Sequence, residues 1–193
     1  MSVVREGAGS ARTGVILLAS GSPQRKAILE QLGVDFRVEV PEVEEVVDGD
    51  PHEVVRENAL LKARAVQGHR VLGADTAVVL DGEIYGKPVE EHAARHFLTT
   101  LSGRRHEVMT GVAVVDHTDE RSDIAVTAVR FRELSEADLD WYLATEEWRE
   151  RAGGYAIQGR GAALVESIDG DYWNVVGLPV PLLLRLMPDL LRG

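Results

Sequence analysis

The stretch "VILLASGSPQRKAILEQLG", Val15–Gly33, decides the fold. Val15–Ala19 is an apolar run of the length of a short buried strand, and the polar break that follows leads into a helix over Pro23–Gln31, stopped by Gly33. Ser22 is a good N-cap and Pro23 a good first helical residue, with Ala27, Ile28, Gln31 and Leu32 on one side of the helix. Arg25 is out of place. It stands where Glu or Gln would close a capping box, and a cation in the first turn costs about 0.3–1 kcal/mol against the helix dipole unless an anion neutralises it. The arrangement invites a phosphate, held by free backbone N–H groups after Gly21, the hydroxyls of Ser20 and Ser22, and the side chains of Arg25 and Lys26. There is no Walker A pattern, so this is not a P-loop. A solvated helix start with an incidental arginine fits the stretch equally well.

The elements that follow alternate. "FRVEV" (Phe36–Val40) reads as a strand, and a helix starts after Asp50 and runs over Pro51–Val66. "VLGADTAVVL" reads as a buried strand interrupted at Gly73–Thr76, followed by an Asp81-Gly82 turn and "EIYGKP". Glu90–Leu101 is helical, and His106–Asp116 with Asp123–Phe131 make two long antiparallel stretches. Ser135–Thr145 opens as a helix on a good N-cap, then come the glycine-rich "AGGYAIQGRG", a strand over "AALVESI" and a final helix after Pro179. The composite is a mixed-sheet α/β fold. With no repeat and no long linker, it reads as a single domain over residues 15–193 behind a lead-in of residues 1–14.

Composition narrows the function classes. The 193 residues carry a net charge of -11, from 32 acidic against 21 basic side chains, which disfavours non-specific attraction to a nucleic acid polymer or an anionic membrane. An anionic ligand would therefore be small, held by a local cluster of cations or through a divalent metal. No apolar run approaches a membrane span, the N-terminus has no apolar signal region, and no cysteine is present. The expectation is a cytoplasmic protein without disulfides.

Several polar residues sit in awkward places. Asp75 is wedged between apolar segments, as a turn former or as a functional acid. Lys87 stands between Gly86 and Pro88; Lys62 follows "ENALL" among small apolar neighbours; Glu44 and Glu45 belong to an acidic run, Glu42–Asp50; Gln158 lies in "YAIQGRG". Each alone reads as surface. Together, carboxylates able to hold a hard divalent cation and cations able to neutralise phosphate oxygens are what metal-assisted hydrolysis of a polyphosphate requires.

The segments "LLASGSPQRKAILEQLG", "ENALLKARA", "LGADTAVVLDGEIYGKP", "HEVMTGVAVV" and "AGGYAIQGRGAALVESIDGDYWNVVGLP" occur in this order over Leu17–Pro179. They resemble the Maf family, septum-formation-inhibitor-like nucleoside triphosphate pyrophosphatases. The resemblance implies a two-lobed α/β/α fold with a central cleft, similar to inosine triphosphate pyrophosphatase, a homodimer, and dependence on a divalent metal cation, Mg²⁺ or Mn²⁺. It implies hydrolysis of a nucleoside triphosphate to monophosphate and pyrophosphate. By motif, Asp75 would be the general base or a metal-holding carboxylate, Glu45 would assist at the metal, and Ser20, Ser22, Arg25, Lys62 and Lys87 would bind and neutralise the triphosphate.

Thr76 and Gln158 look like the branch acting on dTTP and UTP rather than on 7-methyl-GTP. The usual "SPRR" is "SPQR" here, so Gln24 replaces an arginine at what resembles a specificity position, and a broader or weaker pyrimidine preference is expected. Two rival classes share such a cleft: a nucleotide-binding regulator of cell division, and a nucleotidyl or phosphoryl transferase. The set Glu45, Asp75, Lys62 and Lys87 argues against pure binding, because a sensor has less need of a base.

Overall fold

In the computed structural model, which describes residues 15–117 and 119–192, the opening stretch folds as β1 (Ile16–Ala19) and α1 (Pro23–Gln31). The lead-in of residues 1–14 lies outside the described residues. The side of α1 that is buried carries Arg25, Ile28 and Leu29, whereas Ala27 and Gln31 are exposed. This corrects the expected face. Ile28 and Leu29 dock the helix on Ile16 and Leu18 of β1, and an alanine and a glutamine have too little apolar surface to compete.

β1 pairs in parallel with β2 (Phe36–Val38) on one side and with β3 (Val71–Leu80) on the other. The crossovers run in opposite directions from β1, through α1 to β2 and through α2 (Pro51–Arg64) to β3. Right-handed crossovers of that kind put α1 and α2 on opposite faces. The antiparallel remainder is β4 (Glu83–Tyr85) on β3, then β5 (Arg105–Asp116), β6 (Asp119–Phe131) and β7 (Val165–Asp169), giving a seven-stranded sheet in the order β2-β1-β3-β5-β6-β7 with β4 beside β3. α3 (Glu91–Leu101), α4 (Glu136–Leu143), α5 (Tyr172–Val176) and α6 (Val180–Leu186) complete the helices among the described residues. The fold is a mixed α/β one, with α2 alone against one face and α1, α3 and α6 against the other.

β3 is continuous, not interrupted at Gly73–Thr76. β5 pairs with it residue for residue from Val71 to Val79, so the backbone of Asp75 and Thr76 is held in the ladder, opposite Gly111 and Thr110. Gly73 and Gly111 are small for a reason. A Cβ on Gly73 would lie 2.2 Å from the Ala59 carbonyl oxygen, and one on Gly111 2.2 Å from that of Val55, so α2 lies flush on both strands. Other boundaries differ too: β2 ends at Val38, β6 begins at Asp119, α5 was not foreseen, and Arg160–Leu164 is a 3-10 turn, leaving only Val165–Asp169 of "AALVESI" in a strand.

The two lobes are legible along β3. On one face Leu72 and Ala74 join a core with β1, α1 and α6, while Val78 and Leu80 join a second core with α3, α4, Phe131, Trp148 and Tyr155. On the α2 face Val71 and the pair Ala77 and Val79 likewise fall into separate clusters. Thr76 and Asp75 sit at the junctions, one on each face.

The second core contains His106, only 2% exposed, whose Nε2 lies 2.9 Å from the Tyr155 hydroxyl while Nδ1 has no partner. Burial pushes its pKa down to about 4. The unfolded chain then binds the proton more readily, so this contribution is complete above about pH 6.5 and is lost as the pH falls towards 4. We expect urea unfolding at pH 4 to give a stability about 3 kcal/mol below that at pH 7, with His106→Gln removing most of the difference. Carboxylates held low by arginine partners, such as Glu120 and Asp138, begin to lose their contribution as the pH falls through the ordinary carboxylate range, and so overlap the acidic end of this window.

Candidate active site

The site begins with a gap in strand coverage. β1 covers the free edge of β3 from Val71 to Gly73 and β4 covers it from Val78 to Leu80, leaving residues 74–77 without a strand neighbour on that side. The gap lies just past the C-terminal end of β1, where strand order reverses, the place where open α/β sheets form their binding crevice. A cavity of about 420 Å³ occupies it, lined by ten of the residues singled out from the sequence: Ser20, Ser22, Gln24, Arg25, Glu45, Lys62, Asp75, Thr76, Lys87 and Gln158. Glu44 and Lys26 do not line it, and Lys26 pairs with Glu30 on the exposed side of α1 instead.

On the α2 face Asp75 meets two polar side chains, Asn58 and Lys62, among the otherwise apolar buried residues of α2. Val54, Asn58 and Lys62 follow one another at i, i+4 and i+8, beside the apolar Val55, Ala59 and Ala63 that pack on the sheet. Lys62 Nζ lies 2.6 Å from Asp75 Oδ1 and 2.8 Å from Glu45 Oε1. The lysine thus engages two carboxylates, whereas the sequence suggested a phosphate ligand. Asn58 Nδ2 donates to Asp75 Oδ2 at 3.2 Å; the same amide donates to the Val46 carbonyl and accepts from the Val46 N–H, pinning the acidic loop that carries Glu45. Sequence reasoning passed over Asn58. The available signal was an amide on the buried face of a helix, four residues before Lys62.

On the other face the guanidinium of Arg25 is buried among protein acceptors. Nε donates to the Gly177 carbonyl at 2.9 Å, one terminal nitrogen to Ser20 Oγ at 2.9 Å, and the other to Thr76 Oγ1 at 3.1 Å. Desolvation pulls the Arg25 pKa down, opposed by the carboxylates of Asp75 and Glu45. Three of five N–H groups are used, so two remain for a ligand. Thr76 Oγ1 also lies 2.9 Å from Thr110 Oγ1, which bonds the Asn174 carbonyl, so the network reaches the segment that supplies Gly177. Gly177, at φ 123°, adopts a backbone that other residues rarely reach, and so presents its carbonyl to Arg25. The Ser22 hydroxyl caps α1 through the Arg25 N–H, and the Ser22 N–H is taken by Ser20 Oγ. It is therefore not among the free donors expected after Gly21.

The rim is formed by more distant segments. Lys87 follows β4 and is largely exposed, its Nζ 3.6 Å from Glu150 Oε2; Gln158 is exposed on the glycine-rich segment. Gln24 is engaged: its Oε1 accepts from Ser22 Oγ at 3.1 Å and from Arg151 at 2.5 Å. Arg151 was not singled out from the sequence.

Glu45 and Asp75 suit a hard divalent cation, since two carboxylates that share one ammonium are within reach of a single ion and Mg²⁺ commonly takes one or two carboxylates beside water and phosphate. Among the described residues, the group of three side chains with metal-binding donors close together is His69, Asp116 and His117, at the other end of β3 and outside the cavity. No described helix is long and apolar enough to cross a membrane.

The chain is similar to known proteins over most of its length. A family model described as "Maf-like protein" matches residues 15–190. A protein of Symbiobacterium thermophilum, named dTTP/UTP pyrophosphatase, is 52% identical over 171 residues, covering 86% of this chain and 88% of its own. Proteins of the same name from Dictyoglomus thermophilum (47% identical, 86% of this chain and 90% of its own) and Bacillus cereus (46% identical, 88% and 87%) are similar. Among solved structures, the Staphylococcus aureus Ham1 protein aligns with a TM-score of 0.46 at 18% identity, over 61% of this chain and 72% of its own.

Proposed function

The chain belongs to the Maf family, and on that premise we propose that it hydrolyses nucleoside triphosphates, dTTP and UTP first among them, to the monophosphate and pyrophosphate. The observation that carries the reading is the junction at Asp75 and Thr76. It sets a carboxylate held by Lys62 and Asn58 beside a cradle of Ser20, Ser22 and Arg25, in one cavity.

The roles follow from that arrangement. Asp75 takes the proton of the attacking water as the bond between the α and β phosphates breaks and its electron pair leaves on pyrophosphate. Lys62 fixes Asp75 and Glu45 relative to each other; Ser20 and the two remaining Arg25 N–H groups receive phosphate oxygens, Ser22 shapes that cradle through its hydrogen bonds to Ser20, Gln24 and Arg25, and Lys87 neutralises charge from the rim. Glu45 and Asp75 would hold Mg²⁺ or Mn²⁺, which would supply charge neutralisation and polarise the phosphate. The reading includes a homodimer working in the cytoplasm on free nucleotides rather than on a nucleic acid polymer.

A panel of canonical and modified nucleoside triphosphates, assayed for pyrophosphate with Mg²⁺ and with Mn²⁺, is expected to give the highest kcat/KM for dTTP and UTP with water as the only acceptor. Release that appears only when another acceptor is added would make the protein a transferase. Tight binding without release would make it a nucleotide sensor.

A further inference from the structure

Arg151 lines the cavity from the segment that also supplies Tyr155 and Ile157, and reaches Gln24 of α1. Its contact with Gln24 changes what both residues offer. The Gln24 amide oxygen accepts from Arg151 at 2.5 Å and from Ser22 Oγ at 3.1 Å, which uses both of its lone pairs. Gln24 is left with its NH₂ group, a donor only. Arg151 is also a donor only, and its Nε is buried without a partner. Between them Gln24 and Arg151 therefore present N–H groups and no acceptor of their own, in a cavity that Glu150 and Gln158 also line and whose apolar Tyr155, Ile157 and Val175 suit the flat face of a base.

We propose that Arg151 and Gln24 form a donor-only corner that takes a carbonyl oxygen of uracil or thymine and rejects the amino group that cytosine carries at the same ring position. The proposal rests on the nucleotide-hydrolase reading and adds the residue that reads the base. Placing an amino group against the corner leaves a buried donor facing a donor, and sites built to hydrogen-bond one group reject an analogue lacking it far more strongly than apolar pockets discriminate by size. The charge that an arginine at position 24 would bring is supplied here by Arg151, 127 residues along the chain. Gln24→Arg would then set two guanidiniums against each other, so the change that sequence alone recommends for sharpening the pyrimidine preference is expected to weaken it.

Phosphate oxygens share the acceptor chemistry of a carbonyl, so the test separates the two. Dissociation constants and kcat/KM for UTP and CTP would be measured in the wild type, Arg151→Gln, Arg151→Lys, Gln24→Arg and the double variant Gln24→Arg/Arg151→Gln, with thermal unfolding as a check on folding. Arg151→Gln is expected to lower the UTP:CTP ratio by about tenfold, chiefly through UTP, and Arg151→Lys to lower it less. Gln24→Arg alone should lower it too, and the double variant should return it to within about threefold of wild type, because the swap restores one cation and one amide. Equal losses for UTP and CTP would mean a phosphate contact and overturn the proposal, as would an unchanged ratio. If the wild type releases no pyrophosphate, the hydrolase reading fails while the ratio of dissociation constants still decides on Arg151. Failure to bind either nucleotide overturns both.

Discussion

Replacing Asp75 by asparagine is expected to cut kcat by about 10²-fold or more while leaving the protein folded, because a positioned general base commonly contributes that much. Asparagine keeps the shape and an oxygen for Lys62, but it does not take the proton of an attacking water. Its NH₂ group would meet Asn58 Nδ2, now 3.2 Å from Asp75 Oδ2, and Asn58 is locked in orientation by both polar groups of Val46. That donor-to-donor contact costs about 1–3 kcal/mol, or roughly 2–4 °C in Tm for each kcal/mol in a chain of this size. Steady-state kinetics and a thermal melt on the same preparation measure both effects. A kcat within a few fold of wild type would remove Asp75 from proton transfer.

Arg25→Lys should be nearly as damaging although it keeps the positive charge. The guanidinium bonds three acceptors in different directions, the Gly177 carbonyl, Ser20 Oγ and Thr76 Oγ1, and a single ammonium cannot reproduce that fork. Hydrogen bonds to charged groups contribute about 1.5–3 kcal/mol each and do not add fully, so a stability loss of about 2–4 kcal/mol is expected. With Ser20 and Thr76 no longer fixed, kcat/KM should fall by about 10²-fold for every nucleotide, in the same proportion. If charge alone mattered, lysine would retain activity, so the variant separates charge from geometry. The cation that looked misplaced in the first turn of α1 is thus tolerated because its guanidinium turns into the protein and meets oxygen acceptors there.

The parts of the fold that were readable were those with strong local signals. Pro23–Gln31, with its serine cap, its proline start and its glycine stop, matches α1, and Asp50-Pro51 marks the start of α2. The continuity of β3 was not readable, because "GADT" has the composition of a break; only pairing with β5 and the closeness of α2 make it a strand. "AALVESI" failed for the opposite reason: its alternation is strand-like, but Gly159 and Gly161 allow the chain to turn before Val165. The site residues are scattered from Ser20 to Gln158, and it was resemblance between motifs rather than periodicity that collected them. Arg151 escaped notice because "ERAGG" reads as an exposed turn. The partner that gives it meaning, Gln24, lies 127 residues away.

The flush seating of α2 on Gly73 and Gly111 also bears on how such chains can change length. Each residue of a helix advances about 100° and 1.5 Å, so one residue inserted or deleted between Val55 and Ala63 would swing Lys62 off Asp75 and drive a side chain into the sheet. No nearby looseness could absorb the change, since the helix backbone itself touches the strands. The acidic loop is held to α2 at Glu45 and Val46, but its exposed stretch beyond them, like the turn between β3 and β4, has no helical phase to keep. Among relatives, gaps and insertions should therefore collect in those connections and be absent from the α2 segment, whose length is fixed by helical phase even where its residues vary.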